Sequence, residues 1–317
     1  MSRNSLAVRI GRLYQRVSPL FTKVDDLTFL SRTHHHQSCP KIIILACPRS
    51  GSTLTYQVLT SGIQNFHLVN LWNLLYATPY IGGVLTKKKS ENYQSNFRSN
   101  HGFVEGLWGE AEGLQFWEYW TGQGLHQEGK WNKKQAAKLS RKIDVLGQAD
   151  CAFITGFLGH VFCIKELQEL FPNAIFVHLT RNILPNALSI YRASPKDFFS
   201  CKPSTMLQEM PNGRAVQIVK QLFDIQRTIL KDIDTERRIV VAYENLCRNP
   251  LQEIKRIINF GNQKGQALKL RRNQNIPIRF SFKQAENNFF TEKLKSEIAR
   301  TFEQCTAEEQ VFFKPLI

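Results

Sequence analysis

KIIILACPRSGSTL, residues 41–54, is the stretch whose reading decides the fold of this chain. Its apolar run, residues 42–46, reads as an interior strand of a parallel sheet, because a strand covered on both faces needs no polar alternation. The run leads directly into Pro48, Arg49, Ser50, Gly51, Ser52 and Thr53. Gly51 permits a tight backbone turn, the loop N–H groups can converge on an anion, and a helix beginning near Thr53 adds the positive end of its dipole. That is the chemistry of a phosphate cradle. It differs from the GxxxxGK[ST] loop of nucleoside triphosphatases, since no Lys follows the glycine to reach terminal phosphates.

Two more apolar runs end in comparable turns. Residues 174–180, AIFVHLT, end at Arg181, and the helix that follows Pro185 carries Ser189. An Arg at the carboxyl edge of a parallel strand sits where open α/β sheets bind ligands, and Pro185 suits a first helical turn. Residues 238–246, RIVVAYENL, are followed by Cys247, Arg248, Asn249 and Pro250. Taken in order, these segments resemble the sulfotransferases that use 3′-phosphoadenylyl sulfate (PAPS). PRSGST is similar to their 5′-phosphosulfate loop, Arg181 and Ser189 to their 3′-phosphate site, and YENL with the following Asn-Pro to their YEDL…NP segment, in which the Tyr lies near the adenine. The likeness covers much of residues 41–260.

The resemblance implies an α/β, P-loop-like three-layer fold with a central parallel sheet flanked by helices. It implies PAPS as co-substrate with no metal, and a hydroxyl or amine acceptor on a carbohydrate, lipid or small metabolite. The nucleotide-binding residues would be Pro48, Arg49, Ser50, Gly51, Ser52, Thr53, Arg181, Ser189 and Tyr243. Arg49, which does not give up its proton, would act by stabilising charge on the transferring group rather than as a general acid.

The rest of the chain agrees with one folded enzyme domain over residues 41–317, preceded by a basic extension over residues 1–40. A length of 317 residues with 42% hydrophobic content suffices for a large core. A formal net charge of +16 points to anionic partners without choosing among a nucleotide, nucleic acid and an acidic membrane. Nucleic acid is not expected. Seven scattered cysteines form no CxxC pair and no zinc spacing, which favours a reducing compartment and cytoplasmic placement. Cys47, inside the cradle, reads as a small apolar filler. Leu6, Ile10, Leu13, Tyr14 and Val17 fall near helical spacing among Arg3, Arg9, Arg12 and Arg16. This reads first as a helix packed on the domain, and second as a basic helix in peripheral contact with an anionic membrane at its inner face. His34, His35 and His36 read as a surface loop, and residues 262–288 as a long basic loop able to close over a nucleotide.

Residues 80–129 read as an irregular, glycine-punctuated insert on the acceptor side. Its Trp108, Phe116, Trp117 and Trp120, with Glu110 and Glu112, suit a sugar or aromatic acceptor, or else serve as packing. The run containing them resembles LWGPSE…FW segments of bacterial sulfotransferase-domain proteins. Relatives commonly place a Glu beyond the loop, where this chain has Asn70, or a His in the middle of the chain as general base, and a Lys near the end of the strand that here reads Phe153, Ile154, Thr155, Gly156. An amide cannot take a proton from an acceptor, so Glu110 and Glu112 lead as catalytic candidates, with His101, His67 and His160 behind them. The two departures keep open an alternative, a catalytically degenerate fold that binds nucleotides or polyanions. A P-loop kinase is disfavoured by the missing GK[ST].

Overall fold

The computed structural model describes residues 3–31, 38–100, 102–125, 130–147, 151–192, 211–272, 274–282 and 289–317. Strand β1, Lys41–Ala46, is buried along its whole length and lies mid-sheet, as its unbroken apolar run requires. β2 (Asn65–His67) and β3 (Ala152–Thr155) lie to one side; β4 (Ile175–Thr180) and β5 (Arg238–Ala242) lie to the other. The order is β2-β3-β1-β4-β5, and every pair is parallel. The chain thus leaves β1 for one side of the sheet and later crosses to the other. Divergence of this kind opens a crevice at the carboxyl end of the central strand.

Side chains of β1 alternate between two cores, as the two-residue period of a strand dictates. Ile43 and Leu45 join a large cluster with Trp72, Phe116, Trp117, Trp120, Leu139, Ile143 and Phe223. Ile42, Ile44 and Ala46 join a second with Tyr56, Val58, Leu59, Ile254 and Ile257. Helix α1 spans Arg3–Leu30, and α2 (Ser52–Gly62) follows the cradle. After β2 come α3 (Asn70–Leu74), α4 (Pro79–Asn92), α5 (Leu114–Thr121) and α6 (Lys133–Gly147). α7 (Ile164–Leu170) and α8 (Ile183–Arg192) flank β4, and α9 spans Pro211–Asp232. α10 (Tyr243–Arg248), α11 (Pro250–Gln263), α12 (Phe289–Glu303) and α13 (Ala307–Phe313) complete the chain.

One reading of the sequence changes and two are narrowed. The insert at 80–129 is not irregular throughout, since α4 and α5 occupy much of it; Pro79 opens α4, where a missing N–H costs nothing. The strand read at residues 238–242 is β5, Arg238–Ala242, and YENL opens α10 beyond it. Of the four aromatic residues considered for the acceptor, Phe116, Trp117 and Trp120 are buried in the core, with the Trp120 Nε1–H donating to Tyr76 O at 2.7 Å. They pack the fold, and only Trp108 stays half-buried.

The N-terminal helix is docked by Tyr14 and Phe29, which pack against the large cluster, and by polar groups. Asp25, fully buried, accepts from the N–H groups of Tyr80 and Ile81 in the first turn of α4 and pairs with buried Lys142 of α6 at 2.8 Å. A carboxylate at a helix start satisfies orphan N–H groups and meets the positive dipole end, and the ion pair offsets its desolvation.

Candidate active site

The cradle occupies the turn between β1 and α2. Arg49 and Gly51 both adopt left-handed backbone, with φ of 60° and 97°. Only glycine takes such a conformation without steric cost, so the arginine stores strain that its surroundings must hold. Ser50 ties the turn to the strand end: its N–H and Oγ both donate to Cys47 O, at 3.2 and 2.6 Å. Gly51 is required for a second reason, because a Cβ there would lie 2.1 Å from Cε2 of Tyr243. No side chain caps the start of α2, which leaves its first N–H groups facing the turn.

Three neighbouring strand ends converge on this turn. In the sheet register Ala46 lies beside Leu179, and Thr180 beside Ala242, so Arg181 and Tyr243 emerge next to the loop that follows β1. Arg181 Nη1 donates to Arg49 O at 2.8 Å, and its guanidinium lies over the Tyr243 ring at 4.8 Å. Its Nε–H is buried without a hydrogen-bond partner among the described residues. Ser189 sits half-buried on α8, one turn beyond Asn186 and on the same side of the helix.

Asn186 was not legible as a site residue. With its amide oriented to satisfy both atoms, its nitrogen donates to Pro48 O at 3.0 Å and to Arg49 O at 3.1 Å. Thus Arg181 and Asn186 grip the carbonyl of the strained Arg49 from adjacent positions. The only available signal was the spacing of Asn186 and Ser189 at i and i+3 after the strand. Glu244, also unremarked, accepts from the N–H of Asn182 at 3.1 Å and joins the ends of β4 and β5.

Below the turn, Cys47 is fully buried and accepts from Gln226 Nε2 at 3.3 Å, while burial pushes its thiol up to about 12. It is a filler and not a nucleophile at neutral pH. The Nε2 of buried His178 bonds the same Gln226, and burial depresses its pKa to about 3.

The acidic candidates come from a segment paired to the chain just beyond β2. Ala111 N donates to Leu68 O at 2.9 Å and Asn70 N to Gly109 O at 3.0 Å, with an antiparallel bridge between Val69 and Glu110. Glu110 and Glu112, two residues apart on an extended segment, point to the same side. Thr53 and Gln57, four apart on α2, share a face with a closely similar spacing. The segments match in register. Thr53 Oγ1 lies 3.5 Å from Glu112 Oε1, a long contact, while Gln57 neighbours Glu110 one turn deeper.

The two carboxylates therefore differ. Glu112 is half-buried beside the cradle, and burial raises its pKa to about 7, against a smaller lowering by the Thr53 hydroxyl. Glu110 is buried, with Oε2 lacking a hydrogen-bond partner among the described residues. Burial raises its pKa as well, opposed by its own backbone, Ser95, Gln57 and Arg271. Asn70 is spent on structure: its amide donates to Val104 O and Gly106 O, both at 2.7 Å.

The histidines fall away for distinct reasons. His67 is buried with Nδ1 on Asn65 Oδ1 at 2.7 Å, and burial depresses its pKa to about 3. His160, equally depressed by burial, bonds Thr155 Oγ1 at 3.1 Å and packs on Trp117. His101 and the triplet at 34–36 lie outside the described residues. A surface hollow of about 440 Å³ lies elsewhere, against the outer edge of β5, lined by Arg238, Val240, Arg256 and Phe260 among others. It borders the amino-terminal half of that strand, away from the cradle.

The chain matches the family model described as "Sulfotransferase family" over residues 40–263. Among solved structures it resembles the sulfotransferase STF9 from Mycobacterium avium, with 16% identity, 85% of this chain and 77% of that one covered, and a TM-score of 0.51. It also resembles the sulfotransferase STF1 from Mycobacterium tuberculosis, with 12% identity, 93% and 86% covered, and a TM-score of 0.52. At those identities the likeness shows the fold alone. Among curated proteins, none matches in sequence. With a family match spanning the cradle, β4, β5 and all of α11, the chain belongs to the sulfotransferase family and is a transferase with an α/β fold around a five-stranded parallel sheet.

Proposed function

We propose that this chain moves a sulfuryl group from PAPS to a hydroxyl or amine acceptor of carbohydrate, lipid or small-metabolite class. The observation that carries the reading is the convergence of Pro48 through Thr53, Arg181 and Tyr243 at three adjacent strand ends, with Glu112 beside Thr53. The loop N–H groups, Ser52, Thr53 and Arg49 would hold the 5′-phosphosulfate; Arg181 and Ser189 would hold the 3′-phosphate, and Tyr243 the adenine side. An always-charged guanidinium with a hydroxyl suits a phosphate monoester.

In the transfer, a lone pair of the acceptor oxygen forms the new bond to sulfur while the bond from sulfur to the bridging phosphate oxygen breaks. The acceptor proton must leave. We assign its removal to Glu112, whose position beside the loop and pKa raised to about 7 suit a general base. Glu110, buried one turn deeper, supports that segment instead of reacting. Arg49 and the loop stabilise charge on the sulfuryl oxygens and on the departing phosphate. The adenosine 3′,5′-bisphosphate then leaves. Six described cysteines are buried free thiols, which supports placement in a reducing, cytoplasmic compartment.

The test is a thermal-shift comparison of adenosine 3′,5′-bisphosphate without metal against ATP with magnesium. A ligand at a hundred times its dissociation constant stabilises the native state by about 2.7 kcal/mol. The reading expects the bisphosphate to raise the melting temperature and ATP to do so far less; stabilisation by magnesium-ATP alone would overturn it in favour of a kinase.

A further inference from the structure

Helix α1 leaves apolar residues on its outer side. The side turned to the protein carries Tyr14, Ser18, Thr22, Asp25 and Phe29, of which Tyr14 and Phe29 pack against the large cluster. Thr22 Oγ1 meets Tyr119 Oη at 2.7 Å and Ala77 O at 3.1 Å, and Asp25 holds Lys142 and the start of α4. The side turned outward carries Leu20, Val24, Leu27 and Leu30, exposed at 63%, 47%, 68% and 65%. A helix whose inner side is mixed polar and aromatic and whose outer side still exposes four apolar residues is incompletely covered, since amphipathic helices place their apolar stripe toward their support.

Arg16 and Lys23 are exposed and fall on that same line, at successive i, i+4, i+7 and i+11 spacing with Leu20 and Leu27. The helix's two acids face elsewhere: Asp25 is buried, and Asp26 pairs with Lys138 at 3.0 Å and Lys142 at 2.5 Å. Neighbouring α4 exposes Val84 and Leu85, with exposed Lys88 and Lys89 one turn on. The outward surface is apolar and basic together.

We propose that this face of α1 rests on an anionic lipid surface, with Leu20, Val24 and Leu27 among the headgroups and upper acyl chains and Arg16 and Lys23 on lipid phosphates. Charge chooses this occupant. A two-fold dimer sets a patch against its own copy, so Arg16 and Lys23 would enter a seam beside the same residues, in a chain of net charge +16. An anionic bilayer presents the opposite sign. No helix among the described residues is long and apolar enough to cross a membrane, so the contact is one of lying on the surface.

The experiment sediments the full chain with vesicles of phosphatidylcholine alone and of phosphatidylcholine with 30 mol% phosphatidylglycerol (composition of roughly physiological anionic content). The anionic vesicles should bind at least about tenfold more tightly than the neutral ones, and high salt should weaken the binding. Leu20→Ser with Val24→Ser and Leu27→Ser should lower it about tenfold or more, since all three side chains leave the acyl boundary. Arg16→Gln with Lys23→Gln should lower it about 25-fold, at roughly fivefold per basic residue. The latter pair decides the matter should the serine variant melt early. Equal binding to both vesicles, or undiminished binding by either variant, overturns the proposal. So does a lipid-free dimer that the serine variant converts to monomer, which would assign the face to a second copy. None of these outcomes depends on the sulfotransferase reading.

Discussion

Around residues 47–53, short-range backbone geometry is gripped by side chains from the next strand; around residues 102–112, a long connection is hung by backbone pairing from the end of β2. In the first region Arg181 and Asn186 close on loop carbonyls, and Gly51 lies against the Tyr243 ring. In the second, Asn70 holds Val104 and Gly106, and the Leu68–Asn70 stretch pairs with 109–111. On the proposed reading, the nucleotide half of the site is built into the sheet, whereas the acceptor half is attached to it. Disturbing the first should change nucleotide affinity and stability together, and disturbing the second should change turnover with the nucleotide still bound.

The largest separation is expected from Glu112→Gln, which should lower turnover about 100- to 10,000-fold while bisphosphate affinity stays within about twofold. The pH profile sharpens it. Wild-type rate should rise through about pH 7 as Glu112 loses its proton, because the depressed histidines do not titrate there. Stability runs the other way. A carboxyl raised from its ordinary 4.5 to about 7 holds more protons folded than unfolded between those values. Its favourable contribution is complete below about pH 4.5 and lost as pH rises through 7, so Glu112→Gln should gain about 1 to 2 kcal/mol over wild type at pH 8 relative to pH 5, after allowance for partial exposure. Glu110→Gln should keep most of the turnover, and equal rate losses at both positions would erase the distinction between the two carboxylates.

Next in size is Gly51→Ala. The added Cβ meets the Tyr243 ring at 2.1 Å in a backbone with φ of 97°, so overpacking and left-handed strain should together cost about 2 to 4 kcal/mol. Chemical denaturation measures this directly. A neutral substitution would mean that the loop is not held against Tyr243.

Arg181→Ala should weaken adenosine 3′,5′-bisphosphate by about 1.5 to 3 kcal/mol more than it weakens adenosine 5′-phosphate, as read by calorimetry, with Ser189→Ala smaller in the same direction. Equal losses for both nucleotides would remove these residues from the 3′-phosphate. The smallest effect falls to Asn186→Ala, whose amide nitrogen donates to loop carbonyls. It should cost about 1 to 2 kcal/mol of stability and weaken the two nucleotides equally, and selectivity for one of them would place Asn186 in contact with ligand instead of behind it.

The parts legible in sequence were those whose chemistry is contained in one strand and its turn. Apolar runs at 42–46 and 174–180 declare buried parallel strands and the run at 238–242 an edge strand, and PRSGST, Arg181 and Tyr243 follow at their ends. Asn186 escaped because an Asn in a helix gives no hint of which loop it faces. The aromatic residues of α5 stayed open between two uses because rings suited to an acceptor are equally suited to a core, and only packing separates the two.

By itself, then, the sequence determined the parallel sheet, the cradle at its carboxyl edge, and the family to which both belong, since these rest on residue spacing within a single element. Tertiary structure alone decided which carboxylate lies by the cradle. Glu110 and Glu112 are equivalent as letters, and the pairing of their segment beyond β2 sets one against Thr53 and the other a helical turn away against Gln57. It likewise decided which side of α1 faces inward, because Asp25 finds the buried Lys142 and the open first turn of α4 only after those helices have packed. Contacts of that kind depend on the register between distant segments, which no local pattern encodes.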